Sequence, residues 1–272
     1  MSFQPIVVGG GYGGWRFLTR TLESQQKTHA EHSSSSRDKA YFAEKIGSIT
    51  SAADLVADRR LLGVALGAFG LEDDINNRAF VERILSDGTI EPDALSNRLA
   101  DKRYRKFSAA FGFGSGLPPK TIRPGFADSI LKEFAVRSFE KDVGEQDANL
   151  RLALGARREL GELSNAGGSA NTGWYTIMGN KPLRAVFEKA FGLPASFGAL
   201  DLDAQLDTFK DIAERRFGAS SAADFAEPER MEKLIRIFLV RADAEAFGAT
   251  TGSAALTLVS QAATLQASFR QR

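Results

Sequence analysis

The sequence contains no cysteine and only two histidines, His29 and His32. The absence of cysteine excludes disulfide bonds, thiolate zinc sites, iron–sulfur ligation and thiol catalysis. No apolar run approaches the roughly 20 residues of a membrane-spanning helix, and the first residues lack the charged and apolar segments of a cleaved signal peptide. The formal net charge is +1, so composition favours neither a nucleic-acid partner nor a membrane surface.

Alternating runs of β-branched residues, which are typical of strands, are also missing from this chain of 272 residues. Helical spacing is common instead. Leu55, Leu62, Leu66 and Phe69 lie at steps of seven, four and three, which places them on one helical face. We therefore predict an all-α fold, with a capping box of the Ser51–Asp54 type at the start of the main helical body.

The stretch Leu61–Leu71 ends in Ala-Phe-Gly-Leu, and the same four residues recur at 190–193, with a variant at 110–113. A helix commonly ends at a glycine in the left-handed conformation, followed by an apolar residue that folds back on the last turn. We therefore predict that Gly70, Gly112 and Gly192 terminate helices with positive φ. Gly63 and Gly67 lie within the helical stretch, which suggests that another backbone packs closely there.

An internal repeat is indicated by a shift of 122 residues, which aligns Leu61–Leu71 with Leu183–Leu193 at six of eleven positions. We interpret the chain as two diverged copies of a small helical unit, although chance agreement of helix-end signals remains an alternative. The predicted organisation has five parts. They are 1–50 (N-terminal arm and short helices), 51–118 (repeat 1), 119–172 (connecting helices), 173–245 (repeat 2) and 246–272 (C-terminal helix).

The glycine-rich start satisfies G-x-G-x-x-G between Gly9 and Gly14 and follows three β-branched residues. A dinucleotide site also needs a second strand with an acidic residue about 20 positions later. The following residues, QKTHAEHSSSSRDKAYF, offer no strand. We therefore interpret the glycines as a flexible hinge before a helix over residues 15–26, and we predict no cofactor.

The remaining polar clusters are interpreted as structural. His29 and His32 lie beside a serine run and are expected to be solvated loop residues rather than a metal pair. Carboxylates at 72–74, 201 and 203 suit helix N-termini better than calcium loops. The basic clusters at 58–60, 102–106 and 215–216 are expected to be solvated faces. No nucleophile, base or metal set has catalytic spacing, so we predict no catalytic, cofactor or metal site, and no enzyme.

Both ends of the chain have fewer residues in core-forming patterns than the middle, yet they keep aromatic and aliphatic side chains. Such segments are often ordered by a partner. The candidate interface residues are Trp15, Leu256, Val259, Leu265 and Phe269. The alternative is that both ends pack on their own chain.

Three stretches resemble a known family: SITSAADLVADRRLLGVALGAFGLEDDINNRAFVERIL, LSNRLADKRYRKFSAAFGF and GWYTIMGNKPLRAVFEKAFGLP. They are similar to the alphaproteobacterial domain-of-unknown-function family 1217. Genes of that family often lie among flagellar genes, so the resemblance implies a role in flagellar assembly or motility. It implies no catalytic residue and no cofactor.

Two functional hypotheses follow. The first is a non-enzymatic structural or interaction protein with a protein partner, which the resemblance implies to be flagellar. It would be cytoplasmic, or exported by a flagellar route without a cleaved signal peptide. The second is a helical domain that binds a small ligand between the two repeats. An apolar surface patch would favour the first hypothesis and a pocket with convergent polar groups the second.

Overall fold

The computed structural model describes residues 3–32, 35–163 and 171–247. These residues form helices and short 3-10 turns without any strand, which confirms the all-α prediction. The helices are α1 (Gly11–His32), α2 (Ser36–Lys45), α3 (Ala52–Ala57), α4 (Arg59–Gly67), α5 (Arg78–Asp87), α6 (Leu95–Arg98), α7 (Arg103–Phe111), α8 (Phe126–Gly144), α9 (Ala148–Leu163), α10 (Thr172–Gly179), α11 (Lys181–Phe191), α12 (Leu202–Phe217) and α13 (residues 228–247).

Local sequence signals account for several helix starts. The Ser51 side chain accepts a hydrogen bond from the Asp54 N–H and caps α3, as predicted. Pro182 lies in the first turn of α11, where its missing N–H costs nothing. Pro92, in contrast, lies in a turn, and the short helix α6 begins only at Leu95. Helix α8 ends at Gly144, and a short break separates it from α9.

Helix α1 is longer than the sequence predicts at both ends, since it begins at Gly11 and continues to His32. The N-terminal arm, residues 3–8, runs back along it. The side-chain amide of Gln25 accepts from the Ile6 N–H at 2.6 Å and donates to the Ile6 carbonyl at 3.1 Å. The arm, from residue 3 onward, therefore has a defined path along α1.

The buried apolar side chains form two clusters. The first cluster joins α2–α5 and α7 with Phe126 and Ile130 at the start of α8. The second joins α1 and α9–α13 with Phe139 and Val143 near the end of α8. Helix α8 thus spans both cores, because its two halves present apolar faces to different neighbours. The predicted segment 1–50 is divided between the cores, with α1 in the second and α2 in the first.

The segments α3–α4 and α10–α11 share local geometry. In each, one extended residue separates two helices: Asp58 has φ −93° and ψ 105°, and Asn180 has φ −90° and ψ 100°. Both side chains cap the helix that follows. These two positions lie 122 residues apart, the shift that the sequence indicates. The duplication of the whole unit stays a prediction.

Candidate functional site

The predicted helix-end glycines have the expected backbone. Gly70, Gly112 and Gly192 have φ of 68°, 71° and 74°. After Gly70 the Leu71 N–H donates to the Leu66 carbonyl, and after Gly192 the Leu193 N–H donates to the Glu188 carbonyl. This is the bonding of a Schellman motif, which satisfies carbonyls at a helix C-terminus.

Arginine side chains complete these helix ends. Arg103 donates to the Gly70 carbonyl at 2.5 Å, Arg137 to the Ala68 carbonyl at 2.7 Å and Arg216 to the Phe191 carbonyl at 3.0 Å. Guanidinium groups suit these positions because helix C-termini carry partial negative charge. Within the basic clusters, Arg103 and Arg216 thus bind carbonyls of the fold, which the sequence did not predict, whereas Arg105, Lys106 and Arg215 are exposed as expected.

The glycine-rich start meets carboxylates of its own chain. A Cβ added to Gly11 would lie 1.8 Å from Asp243 Oδ2, and one added to Gly10 would lie 3.2 Å from Asp147 Oδ2. Phosphate-binding glycine loops leave this helix N-terminus open for the phosphates. Here the Asp243 carboxylate lies against Gly11 in the first turn of α1, so the missing side chain of this glycine allows α13 to approach α1 closely.

His29 is buried, so the prediction that it is a solvated loop residue was wrong. It lies in the last turn of α1 with 1% of its surface exposed, and its Nε2 is 2.7 Å from Asp142 Oδ2 on α8. The Phe139 ring meets it edge-on. His32 is exposed, as expected, and groups able to hold a metal ion are absent from the described residues.

Trp15 is a core residue, which corrects its assignment to an interface. Only 1% of it is exposed, and its Nε1 donates to the Glu232 carboxylate on α13. For this residue the alternative of packing on its own chain is right. Leu256, Val259, Leu265 and Phe269 lie outside the described residues.

An ion-pair cluster, formed by Lys106, Arg137, Glu140, Arg158 and Glu159, lies where the two cores meet. Arg158 donates to both Glu140 oxygens at 2.9 and 3.0 Å and to Glu159 at 2.6 Å. Burial alone would raise the pKa of Glu159. The positive charges of Arg158, Lys106 and Arg137 together lower that pKa by more than burial raises it, so the net shift is downward. The cluster joins α7, α8 and α9 electrostatically.

A cleft of about 820 Å³ lies between the predicted repeats. Its walls come from residues 89–109 on one side and from α9, α10 and Leu183 on the other. Both lysines that line it are engaged within the fold. Lys102 donates to the Asn97 and Leu99 carbonyls, and Lys106 pairs with Glu162 at 2.6 Å. The cleft therefore has the size of a ligand pocket, but its lysines are held by described residues of the chain itself.

A second concavity, the α4 groove, lies between α2, α4 and α8 and has a volume of about 500 Å³. Gly63 and Gly67 form part of its surface, with Val64, Ile75 and Phe134 as apolar neighbours. Its charged lining residues are Asp38, Arg59, Arg60, Glu72, Arg137, Lys141 and Asp142. Sequence reasoning missed this groove, although the two helical glycines were a signal for it.

A family model described as "Protein of unknown function (DUF1217)" matches residues 68–231, which is more than half of the chain. The chain belongs to this family. The match runs from the glycine turn after α4 to the first turns of α13 and so includes both sides of the cleft. It confirms the family that the sequence resembles, and its description carries no activity.

A crystal structure from Agrobacterium tumefaciens, solved as a structural genomics target, is similar to this DUF1217 protein. The two chains are 25% identical, with a TM-score of 0.71, over 90% of this chain and 98% of the other. The likeness is therefore to the whole fold. No curated protein matches the chain. Among the described residues, no helix is both long and apolar enough to cross a membrane.

Proposed function

We propose that this DUF1217 protein is a non-enzymatic structural or interaction protein with a protein partner in flagellar assembly or motility. The flagellar part rests on the resemblance described above. The interaction part rests on the N-terminal arm, in which exposed side chains at Ile6 and Val8 alternate with more buried ones at Pro5 and Val7.

The arm presents exposed apolar side chains to a partner while hydrogen bonds hold its backbone in place. Pro5 is buried, whereas Ile6 and Val8 are 54% and 55% exposed. The arm is held by side-chain amides, from Gln25 at Ile6 and from Gln146 to the Pro5 carbonyl at 2.7 Å. A short ordered segment with alternate exposed apolar side chains is a form that partners recognise by pockets for those side chains.

Truncation tests this proposal. A chain lacking residues 1–8 keeps Trp15 and the glycines at positions 9–14. We therefore expect its circular dichroism and its melting temperature to stay close to those of the full chain. We expect swimming in soft agar to fall towards that of a deletion strain. The substitution Ile6→Asp with Val8→Asp is a finer version, because both side chains point outward. If the truncated protein is folded and the strain that expresses it swims normally, the arm is not the partner site.

The second hypothesis, a small ligand between the repeats, is favoured by the cleft of about 820 Å³. Tyr175 lines it and is 37% exposed. If a ligand binds there, Tyr175→Ala should remove the rise in melting temperature that the ligand causes in the unmodified protein. A metabolite screen by thermal shift, with Tyr12→Phe outside the cleft as control, checks this. A ligand effect that survives Tyr175→Ala would place the site elsewhere.

A further inference from the structure

The α4 groove has a helical glycine that the chain's own packing does not explain. Glycine destabilises a helix interior relative to alanine, so it usually has a packing or functional reason. At Gly67 the reason is visible, since an added Cβ would lie 2.8 Å from the Phe134 ring. At Gly63 the nearest atom to such a Cβ is Ile75 Cδ1, at 4.0 Å. The space above Gly63 is therefore open to a second backbone.

The groove also has an excess of positive charge. Its three carboxylates are already engaged: Asp38 pairs with Arg60, Glu72 with Arg151, and Asp142 with His29. Three lining cations have no carboxylate within hydrogen-bonding distance among the described residues. They are Arg59, Arg137 and Lys141.

Arg137 is the most buried of these cations. Its side chain is only 10% exposed, and its Nε donates to the Ala68 carbonyl. The nearest carboxylate oxygen to its Nη2 belongs to Glu159, at 3.8 Å. Its Nη1 is buried without a hydrogen-bond partner among the described residues. A buried donor of this kind costs free energy until an acceptor is supplied.

We infer that the α4 groove binds an acidic segment of a partner protein. The partner's backbone lies against Gly63, and its carboxylates face Arg59, Arg137 and Lys141. The inference rests on the proposed interaction function and specifies the chemistry of the partner. Val64, Ile75 and Phe134 supply apolar contact beside the cations, a combination that suits a peptide better than a free inorganic anion. Residues 248–272 of this chain are unsuitable, since they contain two arginines and no acidic residue.

Peptide binding to the full-length protein tests the inference. The probe is a fluorescein-labelled peptide of alternating glutamate, alanine and leucine, compared with the same peptide carrying lysine for glutamate. We expect saturable anisotropy changes with the acidic peptide, weaker at high salt, and none with the basic one. Lys141→Glu should weaken binding about tenfold or more, because charge reversal turns attraction into repulsion. Gly63→Gln should abolish binding, because the glutamine side chain would fill the space above position 63 in the α4 groove.

Matched variants separate the groove from general charge effects. Lys132 is exposed on α8 but does not line the groove, so Lys132→Glu should change the affinity less than twofold, as an approximate bound. Thermal melting verifies that each variant is folded. Equal binding of both peptides, no binding of the acidic peptide, or equal loss in Lys132→Glu and Lys141→Glu would overturn the inference. Inorganic phosphate that competes equally in Gly63→Gln would indicate a small-anion site and also overturn it.

The outcomes distinguish this inference from the proposed function. If deletion of the gene impairs swimming but Gly63→Gln and Lys141→Glu strains swim normally, the groove is not the partner site and the proposed function stands. If deletion leaves swimming intact while the acidic peptide binds as expected, the groove inference stands and the flagellar assignment fails.

Discussion

Gly63 and Gly67 lie one turn apart on α4 but have different surroundings. An alanine at Gly63 meets no close atom, whereas an alanine at Gly67 would press on Phe134. We expect Gly63→Ala to raise the free energy of unfolding by up to about 1 kcal/mol through helix propensity. We expect Gly67→Ala to lower it by about 1–3 kcal/mol through overpacking. Urea unfolding of both variants checks this, and shifts of the same sign would contradict it.

The helix-end glycines differ from these two because their φ is positive. Gly70→Ala should lower the free energy of unfolding by roughly 1–2 kcal/mol, since a Cβ is strained in the left-handed conformation. Gly218 is a suitable comparison: its φ is 62° and an added Cβ meets nothing within 4 Å, so Gly218→Ala measures the strain alone. Denaturant melts of both variants decide this, and a neutral Gly70→Ala would refute the expected strain.

The phenylalanines before these glycines are alike in sequence but not in burial. Phe191 is 1% exposed and touches Phe187 and Phe209, whereas Phe69 is only partly buried beside Phe107. Phe191→Ala should therefore lower the free energy of unfolding by about 3–5 kcal/mol, and Phe69→Ala by clearly less. An equal loss in the two melts would contradict this ranking.

At the scale of elements, the contact between α1 and α8 depends on the pair His29 and Asp142. Asp142→Ala leaves the buried imidazole without its carboxylate, so we expect a loss of about 1–3 kcal/mol in the free energy of unfolding. Glu145→Ala is the control, because Glu145 is exposed at the end of the same helix. A similar loss in both variants would mean that the pair contributes nothing specific.

The N-terminal arm is held to α1 chiefly by one side chain. Gln25 is 6% exposed and makes both hydrogen bonds to Ile6. We expect Gln25→Ala to speed hydrogen exchange at the Ile6 N–H, since two of the bonds lost hold the arm. The helical circular dichroism should stay unchanged, because the third bond, to Thr21 Oγ1, joins only side chains of α1. Thr28→Ala on the exposed side of α1 is the control. Unchanged exchange at Ile6 in Gln25→Ala would show that other contacts hold the arm.

At the scale of the whole molecule, the two cores meet through the ion-pair cluster. The pKa of Glu159 is lower in the folded chain than the ordinary value of 4.5. Its contribution to stability is therefore present above that value and is lost as the pH falls through the folded pKa. We expect Glu159→Gln to lower stability at neutral pH and to flatten the decline below about pH 4.5, which thermal melts over pH check. An unchanged acid decline would contradict the role of Glu159.

Several features could be predicted from the sequence alone because they depend on neighbouring residues. The all-α class follows from apolar spacing, and the left-handed glycines follow from the Ala-Phe-Gly-Leu turns. The caps at Ser51 and Asp201 follow from side chains that reach N–H groups three positions on. In each case the backbone preference and its partner lie within one turn of helix, so chain order contains the necessary information.

Tertiary structure alone decided which distant elements meet. His29 lies 113 residues from Asp142 and Trp15 lies 217 residues from Glu232, so no local pattern reveals either contact. The division of α8 between two cores, and the α4 groove with cations that no described carboxylate hydrogen-bonds, arise in the same way. Charged side chains are long enough to reach residues on other helices. Which residue becomes the partner depends on how the helices pack. The burial and pairing of a charged side chain therefore depend on the assembled fold and not on its neighbours in sequence.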